Sequence, residues 1–343
     1  MNTPNVLWRS NRLELGQPLE FMTISPNGRF IFLNYSTRAG PCVQVFDTIR
    51  RKVFEYVLET DFEYETGARV FSMFPANNKE ALVSFFTPPN TIHLAFCQID
   101  HNNFSIKLNS IARRFQNDPN HLLVGGCSSG AMVHLLYSNF DHFDEDDEHV
   151  LYSIDVLKRT VREWHVADFP ADGACPMAVV GKTLWLLPEE TIMTYDEEND
   201  HTHRNQVCAF NLTTGTFKWL PTFGSYPVAE STVTLMSCGD ALWLKERKGV
   251  ALWCLDLQTM CWTKQNLASS SFDPFYTSMT VDANGFGYFY RPQTAIDRTA
   301  FVVRVCLDGV ASLQTLAFNT VIGASSPKYL ASLLPVSIVA EYF

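Results

Sequence analysis

Two short segments of the chain bring carboxylates and imidazoles together at a density that could support chemistry. They occupy residues 140–149 and 195–203. The residues that we predict to contact a partner are Asp141, His142, Asp144, Asp146, His149, Asp196, Glu198, His201 and His203. Such side chains can bind hard or borderline cations, but neither segment has the spacing or the glycine of an EF-hand loop, and no HExxH motif occurs. We therefore predict no metal site, no catalytic residue and no cofactor.

The charge of the chain is concentrated in the same two segments. The formal net charge is −10, and residues 141–149 and 196–200 contribute −6 and −4, so the rest of the chain sums to zero. A run of this kind is ordinarily a solvated loop, and that interpretation stays open beside the docking of a basic partner. Nucleic acid is a poor partner for such a chain because binding to it requires a basic surface.

A third pattern, Gly126-Cys-Ser-Ser-Gly130, matches the GxSxG motif of a nucleophile elbow. That motif requires a strand before the serine and a helix after it. Here the apolar run Ala131–Tyr137 follows, and its composition is typical of a strand. We therefore interpret the motif as a turn between two strands.

The elements that must position these segments recur along the chain. An apolar strand that follows a turn, usually a turn with glycine, occurs six times. These strands open at Gly28, Asn78, Gly130, Gly181, Gly239 and Gly285, at steps of 50, 52, 51, 58 and 46 residues. Glycine suits these places because hairpin turns often require a positive φ.

A second feature recurs out of phase with the first. Six apolar strands end in Asp or Asn, at Asp47, Asp100, Asp155, Asn211, Asp256 and Asp308. After most of them comes a short polar turn and a strand with a large apolar residue, such as Phe54, Trp164, Trp219 or Trp262. Two of the turns are basic, at residues 50–52 and 158–159, which we interpret as ordinary surface charge.

Each unit thus consists of four strands, a to d, in about 50 residues, which is typical of a β-propeller blade. One blade cannot bury both of its faces alone, so it packs against its neighbours. No helical periodicity persists for long enough to compete. The sequence predicts an all-β fold, with residues 1–343 forming a single β-propeller domain and the tryptophans packed in the core between blades.

Two of the units resemble kelch repeats. The resemblance rests on Ser237-Cys-Gly-Asp-Ala-Leu-Trp-Leu with the Leu252–Trp262 segment after it, and on Val207-Cys-Ala-Phe-Asn-Leu-Thr-Thr-Gly-Thr-Phe-Lys-Trp. The kelch double glycine occurs only at Gly125-Gly126, one turn early, and residues 24–32 resemble WD-repeat or lactonase-like blades. The resemblance implies a binding role, because kelch-type proteins often bind cytoskeletal partners or present substrates to ubiquitin ligases. The chain has no BTB-like or F-box-like segment, so a separate subunit would supply such a link.

The ends of the chain predict the number of blades. Residues 329–334 and 336–342 are typical of strands a and b of a seventh unit, which no strand c or d follows. The segment Val6–Leu15 carries Trp8 and is typical of a strand d. We predict seven four-stranded blades, with the last blade shared between the N-terminal and C-terminal segments, and six blades as the alternative.

We predict that the protein is a non-enzymatic interaction scaffold or adaptor. The face that carries the acidic b–c loops would dock a protein or peptide, for example one with a basic segment. The alternative is a propeller enzyme, a hydrolase or an oxidase, with its site at the mouth of the central channel. No transmembrane or secretory segment is visible, and cysteines such as Cys97, Cys208, Cys254 and Cys306 lie in apolar strands. These features predict free thiols, no membrane partner and a cytoplasmic or nuclear location.

Overall fold

The computed structural model describes residues 5–9, 19–35, 42–59, 69–87, 91–116, 121–139, 148–166, 175–188, 205–227, 233–246, 252–265, 278–282, 285–291 and 301–307. These residues form 25 strands and no helix. It follows that no helix long and apolar enough to cross a membrane occurs within these ranges.

The strands follow one another in groups of four after the N-terminal strand β1 (Asn5–Arg9). Unit 1 consists of β2 (Leu19–Ile24), β3 (Phe30–Tyr35), β4 (Cys42–Asp47) and β5 (Lys52–Glu59). Unit 2 consists of β6 (Arg69–Pro75), β7 (Glu80–Thr87), β8 (Thr91–Asp100) and β9 (Ser105–Gln116). Unit 3 consists of β10 (His121–Ser129), β11 (Met132–Asn139), β12 (Glu148–Asp155) and β13 (Thr160–Val166).

The second half of the chain repeats the same arrangement. Unit 4 consists of β14 (Met177–Val180), β15 (Thr183–Leu186), β16 (Gln206–Asn211) and β17 (Thr216–Pro221), and the short strand β18 (Phe223–Gly224) follows it. Unit 5 consists of β19 (Val233–Cys238), β20 (Ala241–Glu246), β21 (Leu252–Asp256) and β22 (Cys261–Gln265). Unit 6 consists of β23 (Ser278–Val281), β24 (Phe286–Arg291) and β25 (Phe301–Cys306), with β1 beside β25.

Within every unit the consecutive strands pair antiparallel, from the inner strand a to the outer strand d. Two parallel pairings join neighbouring units at their outer edges, β5 with β9 and β18 with β22. The inner strands contact one another in cyclic order, β2, β6, β10, β14, β19 and β23, and β23 contacts β2 again. The described inner strands therefore form a closed cycle of contacts.

The a–b turns follow the predicted pattern. Five of the six carry a glycine at positive φ, namely Gly28, Gly130, Gly181, Gly239 and Gly285. In unit 2 a side chain stabilises the equivalent turn. Oδ1 of Asn77 accepts hydrogen bonds from the backbone N–H groups of Lys79 and Glu80 at 2.7 and 2.8 Å. Of the GxSxG pattern, Gly126 to Ser129 lie in β10, and Gly130 alone lies in the turn between β10 and β11. A strand and not a helix follows the pattern, which excludes the geometry of a nucleophile elbow.

The c–d turns share a side-chain hydrogen-bond acceptor. In five units the Asp or Asn that ends strand c accepts backbone N–H groups two or three residues later: Asp47, Asp100, Asp155, Asn211 and Asp256. Four residues after each stands a residue at positive φ, Arg51, Phe104, Arg159, Gly215 or Met260. These backbone hydrogen bonds are the main reason why the pKa values of Asp100, Asp155 and Asp256 lie below the ordinary range.

We expect Asp256→Asn to be nearly neutral and Asp256→Ala to lower the free energy of unfolding by about 1 kcal/mol. The reason is that Asn211 makes the same pair of turn hydrogen bonds in unit 4 as Asp256 makes in unit 5. Urea unfolding of both variants is the measurement. An asparagine variant as unstable as the alanine variant would show that the turn depends on the charge and not on the acceptor.

The outer place in unit 6 is taken by the N-terminal strand. β1 pairs antiparallel with β25, with Asn5 opposite Cys306 and Arg9 opposite Val303. The sequence assigned this strand to a different partner, Tyr329–Phe343, and to a seventh unit. That segment lies outside the described residues, while the strand d of unit 6 is supplied from the opposite end of the sequence. This closure joins β1 to a sheet and removes the free edge of β25.

The core lies between the sheets. Among the residues that the structure describes, six clusters of buried apolar side chains occur, and each combines two neighbouring units, including units 6 and 1. Strand period decides the partner: Phe30 and Phe32 of β3 face unit 2, whereas Ile31 and Leu33 face unit 6. Of the tryptophans predicted in this core, Trp185, Trp243 and Trp262 are buried, and Trp164, Trp219 and Trp253 are partly buried.

The described cysteine side chains are free thiols. Cys97, Cys208 and Cys254 are buried as expected, and the side chain of Cys306 lies outside the described part. Burial raises the pKa of Cys97 to about 12, which keeps this thiol protonated at neutral pH.

Candidate functional site

Of the nine residues predicted to contact a partner, the structure describes one. His149 lies in β12, is 2% exposed, and its Nε2 is 3.2 Å from Oγ of Ser138. This burial argues against direct contact between His149 and a partner, because its ring is enclosed between strands. Asp141, His142, Asp144, Asp146, Asp196, Glu198, His201 and His203 lie outside the described residues.

The structure does place the strand ends to which the two acidic segments are attached. The first segment connects Asn139 of β11 to Glu148 of β12, which stand opposite each other in the sheet. The second connects Leu186 of β15 to Gln206 of β16. Both are b–c connections of consecutive units, and their inner strands β10 and β14 are in contact. In a propeller the b–c and d–a connections share one face, so both segments leave the ring from the same face.

The inner strands carry few ionisable residues. Within β2, β6, β10, β14, β19 and β23 these are two cysteines and three residues at the strand starts, Glu20, Arg69 and His121. The strand starts belong to the d–a connections and hence to the face of the acidic segments. No group of three or more His, Cys, Asp or Glu side chains that could hold a metal occurs in the described part of the chain.

A cavity of about 530 Å³ lies between units 1 and 2, at the opposite face of the ring. The a–b turns contribute Arg29, Phe30, Asn78 and Lys79 to its wall, and the c–d turns contribute Asp47, Arg50, Asp100, His101 and Phe104. The cavity is also lined by Phe54, Tyr56 and Glu59 of β5 and by Lys107 of β9. The cavity is therefore assembled from two units whose turns stand side by side.

A buried carboxylate stands between two guanidinium groups in this wall. Asp47 is 1% exposed, and its Oδ2 lies 3.6 Å from Nη2 of Arg29 and 3.7 Å from Nε of Arg50. Its other oxygen, Oδ1, accepts the turn hydrogen bonds from the backbone of Ile49 and Arg50. Both ion-pair distances exceed the length of a hydrogen bond, so the guanidinium donors are only loosely engaged by this carboxylate.

His101 links the two units through both nitrogens of its ring. Nε2 lies 2.6 Å from the carbonyl oxygen of Asn78, which can only accept, so Nε2 donates. Nδ1 then accepts from the hydroxyl of Tyr56 at 2.7 Å. Burial is the main cause that lowers the pKa of His101 and raises that of Tyr56. At neutral pH the imidazole is therefore neutral, and both of its nitrogens are occupied.

Aromatic rings line the rest of the cavity. The ring of His101 stacks on Phe30 with centroids 3.7 Å apart, and Phe54 stacks on Phe104 at 4.9 Å. Phe104 has a φ of +53°, an unusual conformation for a bulky residue, and its carbonyl accepts a hydrogen bond from N–H of Val57. That bond begins the parallel pairing of β5 with β9, so the strained turn of unit 2 is fastened to the outer strand of unit 1.

Sequence reasoning did not find this cavity. It noted the basic turn at residues 50–52 and interpreted it as surface charge. The signal available was the repeat itself, because Asp47 and Asp100 occupy equivalent turns of neighbouring units and Arg50 stands three residues after Asp47. The roles of Arg29, Tyr56 and His101 carried no comparable signal.

No protein-family model matches this sequence, and no curated protein matches it significantly. Among solved structures, alpha-L-arabinanase from Penicillium chrysogenum, complexed with arabinobiose, has a TM-score of 0.53 at 9% identity, over 90% of this chain and 99% of that one. The calcium-binding protein regucalcin from Agrobacterium tumefaciens has a TM-score of 0.51 at 10% identity, over 89% of this chain and 94% of that one. The WD40 domain of coronin from Toxoplasma gondii has a TM-score of 0.47 at 9% identity, over 86% and 73%.

The arabinanase and regucalcin are β-propeller proteins, and at such low identity the likeness concerns the fold alone. It does not distinguish a kelch repeat from other propeller repeats. Together with the cyclic contacts of the inner strands, it shows that the chain is an all-β protein with the propeller fold.

Proposed function

We propose that the protein is a non-enzymatic interaction scaffold that docks a basic protein or peptide on the face of its two acidic segments. The single observation that carries the proposal is the attachment of both segments to b–c strand ends of the consecutive units 3 and 4. The kelch resemblance of two units is consistent with such a binding role. Free thiols at the described cysteines support our further proposal of a cytoplasmic or nuclear location.

The electrostatic argument follows from the charge distribution. Residues 141–149 and 196–200 contribute the whole net charge of −10, and the rest of the chain sums to zero. A localised negative field accelerates the encounter with a basic segment and makes that encounter sensitive to salt, while adding less to the final affinity. Loops that connect strands generally tolerate substitution better than the strands themselves.

The test neutralises four carboxylates, with Asp144, Asp146 and Asp196 replaced by Asn and Glu198 by Gln. A partner captured by pull-down and identified by mass spectrometry is used for association kinetics. We expect the association rate of the variant to fall about tenfold or more at low ionic strength, and much less at physiological ionic strength. The unfolding midpoint in urea should be unchanged.

The control neutralises exposed carboxylates elsewhere, with Glu55→Gln, Glu163→Gln and Asp240→Asn. These side chains are exposed and lie away from the b–c connections. We expect this variant to associate like the original protein. Equal association rates for the original protein and the acidic-segment variant at low salt would overturn the proposal. The channel end near Glu20, Arg69 and His121 would then become the leading candidate, as the enzymatic alternative requires.

A further inference from the structure

We propose that the cavity between units 1 and 2 binds a small ligand that carries one anionic group, a carboxylate or a phosphate, together with a planar apolar ring. This site lies at the face opposite the acidic segments and does not depend on the proposed scaffold function. Arg29 and Arg50 anchor the anionic group, and the rings of Phe54 and Phe104 cover the apolar part.

The charges of the wall favour an anion. The cations in the wall are Arg29, Arg50, Lys79 and Lys107, and the anions are Asp47, Glu59 and Asp100. Two guanidinium groups, the buried one of Arg29 and the exposed one of Arg50, share the single carboxylate of Asp47, which leaves an excess positive charge beside it. Planar guanidinium groups bind carboxylate and phosphate through paired hydrogen bonds.

The hydrogen-bonding capacity of the wall points the same way. Asp47 is occupied at Oδ1 by two backbone donors, and Asp100 accepts two backbone N–H groups and the amide of Asn103. His101 uses both nitrogens within the protein. Nε of Arg29, in a side chain that is 9% exposed, has no hydrogen-bond partner among the described residues. Nε of Arg29 is thus a buried donor open to a ligand, and Oδ2 of Asp47 beside it also makes no hydrogen bond among the described residues.

The apolar part of the ligand is inferred from the ring pair at the outer side. Phe54 and Phe104 are stacked, each is partly buried, and both line the cavity. Phe104 has the positive φ that is common to the c–d turns, and its carbonyl accepts a hydrogen bond from N–H of Val57, which holds this turn against unit 1.

The junction of units 3 and 4 shows how the equivalent space can be filled. By sheet register Tyr56 corresponds to Trp164 of unit 3, and by turn position Phe104 corresponds to Gly215 of unit 4. At the junction of units 3 and 4 the indole of Trp164 lies directly over Gly215, so that a β-carbon there would overlap it. Between units 3 and 4 the indole of Trp164 therefore occupies the space over Gly215. Between units 1 and 2 the equivalent residues, Tyr56 and Phe104, line a cavity.

Calorimetric titration of the full chain with four probes tests the proposal. The probes are phenyl phosphate, benzoate, inorganic phosphate and benzyl alcohol, at low ionic strength. We expect phenyl phosphate or benzoate, or both, to bind at submillimolar concentration, and the ratio of the two affinities tells which anionic group the site prefers. Inorganic phosphate and benzyl alcohol should bind at least tenfold more weakly. Absence of binding by both ring-bearing anions overturns the proposal, as does equal binding of benzyl alcohol.

The matched variants are Arg50→Gln and Lys158→Gln. Each residue stands three positions after the turn aspartate of its unit and forms an ion pair with it, but only Arg50 lines the cavity. We expect Arg50→Gln to weaken the better probe at least tenfold and Lys158→Gln to leave it unchanged. If Arg50→Gln lowers the melting temperature, Lys79→Gln, at an exposed residue of the same wall, replaces it with an expected loss of about threefold. Unchanged binding in a folded Arg50→Gln variant contradicts the assigned anchor.

Discussion

Replacement of Gly28 by alanine is expected to lower the free energy of unfolding by about 3 kcal/mol or more, the sum of a backbone cost and an overlap cost. Gly28 has a φ of +74°, and a β-carbon there would overlap the carboxylate of Asp282 and crowd the hydroxyl of Tyr288. That carboxylate is held in place, because it accepts hydrogen bonds from N–H of Phe286 and from Tyr288 and lies 3.9 Å from Arg304. The substitution therefore strains the contact that joins unit 6 to unit 1.

The control is Gly130→Ala. Gly130 occupies the equivalent a–b turn of unit 3 with a φ of +56°, and nothing lies within 4 Å of the place its β-carbon would take. Only the backbone cost applies there, about 1–2 kcal/mol. Urea unfolding of both variants measures the difference. Equal losses in the two variants would mean that the packing of Gly28 against Asp282 contributes nothing to the closure of the ring.

Acidification is expected to destabilise the protein through His134. This side chain is 3% exposed, its Nδ1 lies 2.9 Å from Oγ of Ser153, and burial lowers its pKa to about 4. The unfolded chain binds the proton with a pKa of about 6.5, whereas the folded protein does not bind it until pH falls much further. The contribution to stability is therefore complete above about pH 6.5 and is lost as pH falls toward 4, by about 2 kcal/mol at pH 5.

Urea unfolding at pH 7.5 and at pH 5 measures this loss. The variant His134→Gln keeps a hydrogen-bonding side chain next to Ser153 but does not titrate, so its stability should change about 2 kcal/mol less between the two pH values. His101, whose pKa burial also lowers, adds acid sensitivity of the same sign in both proteins. If the variant and the original protein lost the same stability, the burial of His134 would not be the source of the effect.

The local devices of the fold were predictable from the sequence. The glycine turns at Gly28, Gly130 and Gly239 are visible because a positive φ restricts the residue type. The turns after Asp47 and Asp256 are visible because a short acceptor must reach backbone N–H groups two or three residues away. Both requirements act within a few residues, so residue spacing alone reveals them and, with the period of two in the strands, the four-stranded unit.

The spacing of residues did not predict which strand pairs with the N-terminal strand. The segment Val6–Leu15 has the pattern of an outer strand, but the pattern does not name the strand beside it. In the structure Asn5–Arg9 pairs with Phe301–Cys306, almost 300 residues away, because β25 leaves an open edge and β23 packs against β2. Strand pairing over such a separation depends on which faces are buried together.

The sequence by itself determined a repeating all-β chain, its turns and the location of its net charge. The tertiary structure alone decided that His149 is buried and that Arg29, Tyr56 and His101 meet in one cavity. His101 and Tyr56 belong to neighbouring units. The spacing of residues along the chain does not predict that Nδ1 of His101 lies 2.7 Å from the hydroxyl of Tyr56. The physical reason is that contacts between units are set by the packing of whole sheet faces, whereas the sequence pattern reports only the forces within each sheet.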